Sequence, residues 1–414
     1  MGILCYNNKD VFCLFFRSKE MNKVLAAVFV LVLATTIPVL FGADANRPAA
    51  KQPGAEEKAL WDKINSTKGE IDKFAAEKSP QRPSPDANEA EVNRIIKEFE
   101  AFRKEISKRI TPLNDLAKEY RRKYPAGAYA QENTDLLLIL MANNANFNNG
   151  ILSSEDDKLY EQLWKDKELT AQSATELFWI NLIRIRNMIE NPKEVNKPDK
   201  KAIEVLLDRT ESQITDYGKR FTFQGYILDG EITAADLIEK MYPERAVRIL
   251  KAAKQYTPPQ MANILDGFIR NKSILGTKPE LKFKAVDGRE VDLAKLKGKV
   301  VLIEFWATWC PRCVYEMPIV IDVYKKFKDR DFEIIGIALE KGDIEALKKY
   351  VKANGITWPQ YADGKEGDTY WAQYYGVIST PAMWLVDREG KVVDKFVEAQ
   401  ELSDKVAKLL GIVK

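Results

Sequence analysis

Histidine is missing from all 414 residues of the chain. That absence removes imidazole acid–base catalysis, His-ligated metal sites and c-type haem attachment, which needs a histidine directly after the second cysteine of a Cys-x-x-Cys pair. Val314 stands in that place. An excess charge of one sign is missing as well. Lys and Arg number 64 against 61 Asp and Glu, a formal net charge of +3. No long basic stretch is interleaved with aromatics, so nucleic acid is not expected as a partner. Cysteine is scarce, with only Cys5, Cys13, Cys310 and Cys313 in the chain. The last two lie in "WATWCPRCVYEMP", Trp306 to Pro318, and their spacing admits a metal knuckle, a structural cross-link or a redox dithiol.

Residues 1–45 read as an export segment. Met21-Asn22-Lys23 is a short basic start to the apolar run "VLAAVFVLVLATTIPVLFG", and Ala43-Asp44-Ala45 has the small-x-small form of a cleavage site. Pro38 breaks the apolar helix just before that site, as a cleavable signal peptide requires. The run is also close to a bilayer span in length, so an uncleaved membrane anchor is the competing reading. No cysteine follows it, which argues against a lipoprotein anchor. Residues before Met21 suit neither reading and point to an over-called start. Export leaves Cys310 and Cys313 as the only cysteines of the mature protein and assigns it to the periplasm or cell envelope.

From Asn46 to Ala87 the chain is polar and carries Pro48, Pro53, Pro80, Pro83 and Pro85, the composition of an extended linker, with a short helix expected around Glu56–Lys78. Residues 88–275 then take a helical period. Val92, Ile95, Phe99, Phe102, Ile106, Ile110, Leu113 and Leu116 recur at three- or four-residue steps, and further helical patterns cover Asn133–Ala142, Glu155–Glu190, Lys200–Arg220, Ala234–Lys254 and Pro259–Asn271. These apolar stripes read as helix-packing core. The region is an all-α domain that declares no function of its own.

From residue 276 to 414 short β-like runs alternate with helices. The pattern predicts strands over Val300–Phe305 and Phe332–Leu339, and helices over Pro311–Lys328, Asp343–Asn354 and Thr369–Tyr375. A hairpin turning at Asp387–Gly390 and a last helix from Leu402 complete it. "VVLIEF" and "FEIIGIAL" are apolar on both faces, as strands covered by helices on both sides should be. The chain is therefore expected to be multidomain, an all-α part followed by an α/β part.

The three readings of the cysteine pair differ in what they explain. One Cys-x-x-Cys supplies two ligands where a structural zinc needs four, and the sequence offers neither a histidine nor a second pair. A disulfide closing so short a loop removes little chain entropy and is a poor staple. A redox dithiol accounts for the neighbours too. Pro311 suits the first position of a helix, which puts Cys310 at the N-cap, where free N–H groups and the positive helix end favour a thiolate. Arg312 adds a cation beside it. Cys313, one turn in, is placed to resolve a mixed disulfide formed by Cys310.

"GKVVLIEFWATWCPRCVYEMP", the later "GVISTPAMWLVDREGKVV" and an insert between the second strand and its helix together resemble the thioredoxin-fold domain of TlpA/ResA-type proteins, the exported thiol–disulfide reductases. The resemblance covers only the last third of the chain. It implies that Cys310 is the nucleophile and Cys313 the resolving thiol, and that Pro381 is a cis-proline lying against the dithiol. Trp309, Thr380 and Pro381 would then bind an incoming substrate strand. An ordinary trans strand-start proline is the alternative for Pro381. Pro318 matches the proline that bends the first helix. Glu316 matches the acid typical of ResA-type sites, against the plainer reading of a solvated first-turn carboxylate.

Glu304 is the only charge inside "VVLIEFWA", at the position where thioredoxins carry a buried acid. A carboxyl there would be desolvated and suited to accept the proton of Cys313; the alternative is an edge-of-core Glu reaching solvent. Many TlpA-type domains have a neutral residue at this point, so two acids near one dithiol is a departure. Arg312 is another, where proline is frequent, and it leaves the direction of electron flow open.

The expectation is an exported protein thiol–disulfide oxidoreductase, acting as a reductase on protein disulfides, with no cofactor and no metal, and drawing electrons from a membrane thiol-transfer partner. The competing class is a helical interaction or assembly protein whose thioredoxin-like domain senses redox state.

Overall fold

The computed structural model describes residues 52–81, 88–190, 199–223, 225–340, 342, 344–364 and 369–412. The export segment expected at 1–45 lies outside these residues. Among the described residues no helix is long and apolar enough to cross a membrane. The chain divides into two compact units between Gly230 and Glu231.

The first unit is helical. Its helices are α1 (Ala55–Lys78), α2 (Glu89–Lys123), α3 (Ala130–Phe147), α4 (Ser154–Lys165), α5 (Ala171–Glu190) and α6 (Lys200–Arg220), with the start of α7 (Gly225–Ile238). The stripe on α2 buries as its period requires: Phe102, Ile106, Ile110 and Leu113 pack with Ile64 of α1 and Leu137 of α3. Helix α1 matches the helix expected around Glu56–Lys78 within the stretch of linker composition. It is tied down by Glu57, whose Oε1 accepts from the Tyr120 hydroxyl at 2.5 Å and from Ala128 N at 2.6 Å. The pattern expected as continuous over Glu155–Glu190 is broken between Lys165 and Ala171. There Asp166 caps the end of α4 and turns the chain, its side chain accepting from Glu168 N.

The second unit runs from Glu231 to the C-terminus. It contains the remainder of α7, then α8 (Pro243–Lys254) and α9 (Pro259–Lys272). The pattern expected as one helix over Ala234–Lys254 breaks where Pro243 starts α8, as proline at a first helical turn dictates. A small antiparallel hairpin follows, β1 (Lys282–Lys284) with β2 (Glu290–Asp292). Next come β3 (Val300–Trp306), α10 (Pro311–Phe327), β4 (Phe332–Ala338), α11 (Ile344–Ala353), β5 (Gln360–Tyr361), α12 (Tyr370–Tyr374), β6 (Ala382–Val386), β7 (Val392–Asp394) and α13 (Ala399–Leu409). The sheet order is β5-β4-β3-β6-β7, parallel across β5, β4 and β3 and antiparallel across β3, β6 and β7. Every residue of β3 is buried, so the central strand is apolar on both faces except at Glu304.

The unit reaches 45 residues upstream of the start expected at 276. Residue 276 is itself built into the sheet edge, where Gly276 N donates to Val392 O and Val392 N donates to Thr277 O. Upstream, α9 lies directly on α12. Side chains at Gly267 or Gly376 would strike the other segment's backbone, which is why both are glycine. Arg270 Nε donates to Tyr374 O at 2.6 Å. Deeper in, Lys395 is buried against Glu239, Asn271 O and Asn271 Oδ1, while Lys272 meets Asp236 and Glu239. Burial opposes the charge on Lys272, but the two carboxylates outweigh it and hold its pKa above the ordinary lysine value. Burial prevails at Lys395 and lowers its pKa to about 8.

Removing one member of a buried ion cluster strands the others, so Glu239→Gln is expected to cost about 3 kcal/mol in a denaturant titration of the whole chain. By the same argument a fragment 231–414 should unfold at higher denaturant than a fragment 276–414. Equal midpoints would show that the upstream helices add nothing to this unit.

Candidate active site

Strand β3 delivers the chain into the turn Ala307–Trp309, and Cys310 is the N-cap of α10. With Pro311 supplying no N–H, the Cys313 amide is the donor that reaches back, 3.2 Å from Cys310 Sγ. A sulfur at this place faces the positive end of a helix. Cys310 and Cys313 are joined as a disulfide, with Cα atoms 5.2 Å apart. Both are buried, at 5% and 2% exposure, so the difference in access that distinguishes a nucleophile from a resolving thiol is small in the oxidised state.

The turn is gripped from the end of β4. Thr308 donates through both N and Oγ1 to the Glu340 carboxylate, at 2.7 and 2.8 Å, and Trp309 Nε1 donates to Leu339 O at 2.9 Å. Glu340 is buried and was not singled out from the sequence. The available signal was an acid directly following the apolar run "GIAL", where a solvated loop residue would be the ordinary expectation.

The Thr380–Pro381 peptide is cis, and Thr380 O lies 3.6 Å from Cys310 Sγ. Cys310, Thr380 and Pro381 are therefore brought together across the mouth of the site. Trp309 is 44% exposed, and with Val314, Tyr315 and Ile378 it gives the rim of the dithiol an apolar surface.

The two acids lie beneath. Neither Glu304 nor Glu316 reaches solvent freely; both are buried. Burial pushes the Glu304 carboxyl up to about 8, and the like charge of Glu316 adds to the rise. Glu316 sits one turn after Cys313 on the buried side of α10, and its Oε1 accepts from Arg312 Nε at 2.7 Å. Arg312 therefore pairs with Glu316, which balances the cation that the sequence places beside Cys310. Oε2 of each acid has no hydrogen-bond partner among the described residues. Among the same residues no group of three or more Cys, Asp or Glu is placed to hold a metal ion.

The Redoxin family matches residues 276–410. Over 132 residues the chain is 33% identical to the thiol-disulfide oxidoreductase ResA of Bacillus thuringiensis subsp. konkukian, an alignment covering 32% of this chain and 73% of that protein. It is 35% identical over 122 residues to the ResA of Bacillus anthracis, covering 30% and 68%. Among solved structures, the thioredoxin domain of a thiol-disulfide oxidoreductase from Bacteroides vulgatus is 31% identical, with 33% of this chain and 97% of that one covered and a TM-score of 0.30.

A carboxyl whose pKa is raised on folding binds more protons folded than unfolded, so stability falls as pH rises from the unfolded value to the folded one. For Glu304 that window opens near the ordinary carboxylate value and closes at about pH 8. Glu304→Gln is expected to remove a slope of up to about 1.4 kcal/mol per pH unit within it. Unfolding midpoints of both forms between acid and pH 8 check this. Parallel pH profiles would place Glu304 in a polar setting.

Proposed function

We propose a reductase of protein disulfides that works outside the cytoplasm, starting from the premise that the chain belongs, through its C-terminal third, to the ResA thiol-disulfide oxidoreductases. It is a protein thiol–disulfide oxidoreductase. The reducing direction, the export and the roles of individual residues are our reading. The observation that carries it is the N-cap geometry, a cysteine sulfur at a helix N-terminus accepting from the amide of its own partner cysteine.

In the proposed cycle the reduced enzyme presents the Cys310 thiolate to a substrate disulfide. Its lone pair forms a new S–S bond to one substrate sulfur while the other substrate sulfur leaves with the bonding pair and takes up a proton. Glu304, protonated at rest, releases its proton as the departing substrate sulfur takes one up; as a carboxylate it then accepts the proton of Cys313, which attacks Cys310 Sγ. The second substrate sulfur leaves and is protonated, and the enzyme is left with the Cys310–Cys313 disulfide. Two electrons have passed to the substrate, and a dithiol donor, here a membrane thiol-transfer partner, returns two to the enzyme. Glu316 steadies the entrance of α10 through Arg312, and its charge adds to the burial that keeps Glu304 protonated at rest. The half-buried Thr380–Pro381 step offers backbone to an extended substrate segment beside Cys310, and Trp309 covers its side chains.

Export rests on the N-terminal segment "VLAAVFVLVLATTIPVLFG" with its following Ala43-Asp44-Ala45. In an oxidising compartment a dithiol without a donor ends as the disulfide, which is why the reading requires an electron supply.

The whole chain is expected to reduce insulin with dithiothreitol as donor, and Cys313→Ser purified from cells should carry client proteins attached through Cys310. Adducts on Cys310→Ser instead, or an insulin rate no higher than dithiothreitol alone, would exclude this role and favour a redox-sensing interaction protein.

A further inference from the structure

The sheet places three residues in one row beneath the dithiol. Glu304 of β3 pairs with Gly336 of β4, and Gly336 pairs with Gln360 of β5. Residues in register across neighbouring strands project to the same face, with strands about 4.8 Å apart. The middle member of the row has no side chain, and the space is filled from the side. A Cβ on Gly336 would collide with the carboxamide of Gln360, so that carboxamide lies over β4, the strand between Gln360 and Glu304.

Its orientation is set. Trp306, two residues after Glu304 and on the same face of β3, donates from Nε1 to Gln360 Oε1 at 2.9 Å. With the oxygen engaged, the amide nitrogen is the free end. Gln360 is 1% exposed, and its Nε2 has no hydrogen-bond partner among the described residues. Glu304 Oε2, in the adjoining position of the row, has none either. A buried amide donor and a buried carboxyl oxygen, each unsatisfied and lined up across one glycine, are complementary.

We propose that Gln360 is a positioning residue for the thiol–disulfide reaction, its amide nitrogen being the donor that receives Glu304 when Glu304 gives up its proton. The inference rests on the reading of Glu304 as proton acceptor for Cys313. An ionised carboxylate in this core without a donor would be too costly to form, whereas a lysine partner would hold it ionised throughout. A neutral carboxamide lies between these limits and lets the carboxyl cycle.

No other group facing Glu304 donates to its Oε2 among the described residues. From α10 comes Glu316, whose charge opposes ionisation, and Cys313 lies on the same buried helix side. From α11 comes Tyr350, whose phenol is itself raised by burial first and then by the Glu304 charge. Met383 of β6, opposite Glu304, and Gly336 of β4 carry no charge.

The test is Gln360→Met, which keeps length and removes the donor, with Gln360→Glu as a second variant that puts a carboxyl at the same point. Glu304 protonation is followed in the whole reduced protein by its carboxylic-acid infrared band, assigned as the band lost in Glu304→Gln. Insulin-reduction rates are measured over the same pH range. Gln360→Met should move the infrared midpoint up by about one pH unit, and the rate profile with it. Gln360→Glu should move both further. In a Glu304→Gln background Gln360→Met should leave the rate profile where it was. An unshifted infrared midpoint in both folded variants would overturn the proposal, as would an equal profile shift without Glu304. If the carboxyl midpoint moves but the rates do not, Glu304 is not the proton acceptor, and the positioning role is overturned with it.

Discussion

The site depends on one local constraint, that a buried strand ends where a helix begins and a cysteine occupies the junction. The amide of Cys313 can donate to Cys310 Sγ only because Pro311 starts α10 immediately after it and β3 holds the preceding residues in the sheet. Each surrounding feature preserves that junction. Glu340 takes both donors of Thr308, Leu339 O receives the Trp309 indole, and the Thr380 carbonyl closes over the sulfur from the other side. The sulfur is therefore fixed by groups from β4, α10 and the entrance to β6, none of them adjacent in sequence.

Beneath the junction the fold accepts an electrostatic cost. Glu304 is the one charge-bearing side chain in a strand with no exposed residue, and Glu316 faces the same interior. Burial first, and the Glu316 charge second, push the Glu304 carboxyl up to about 8, while Glu316 is paired with Arg312. Such an arrangement weakens the fold as pH rises, and in the proposed cycle its carboxyl is the proton carrier for Cys313. A core selected for stability alone would put an apolar residue at Glu304.

Much of this was legible in the chain itself. The apolar runs marked β3 and β4 because strands covered on both faces lose their alternation, and Pro311 marked the start of α10 because its missing N–H costs nothing there. Glu304 stood out as a lone charge in such a run. What stayed hidden was contact between distant residues. Nothing about Glu340 or Gln360 in sequence announces a partner, since each becomes meaningful only through the register of β3, β4 and β5 and the side-chain vacancy at Gly336. Helices α8 and α9 look like a continuation of the helical region because their period is helical. Their membership of the second unit is written in Gly267 against Gly376, Arg270 on Tyr374 O and Asn271 on Lys395, none of which leaves a local pattern.

The measurement that tests the account most directly is competitive alkylation of the reduced whole protein across pH, with each cysteine followed separately by mass spectrometry. Cys310, capping α10, should be labelled first and at a pH well below the range of an ordinary thiol, with Cys313 following only at higher pH. Preferential labelling of Cys313, or two thiols titrating together at the ordinary value, would contradict the claim that the helix N-terminus makes Cys310 the attacking sulfur.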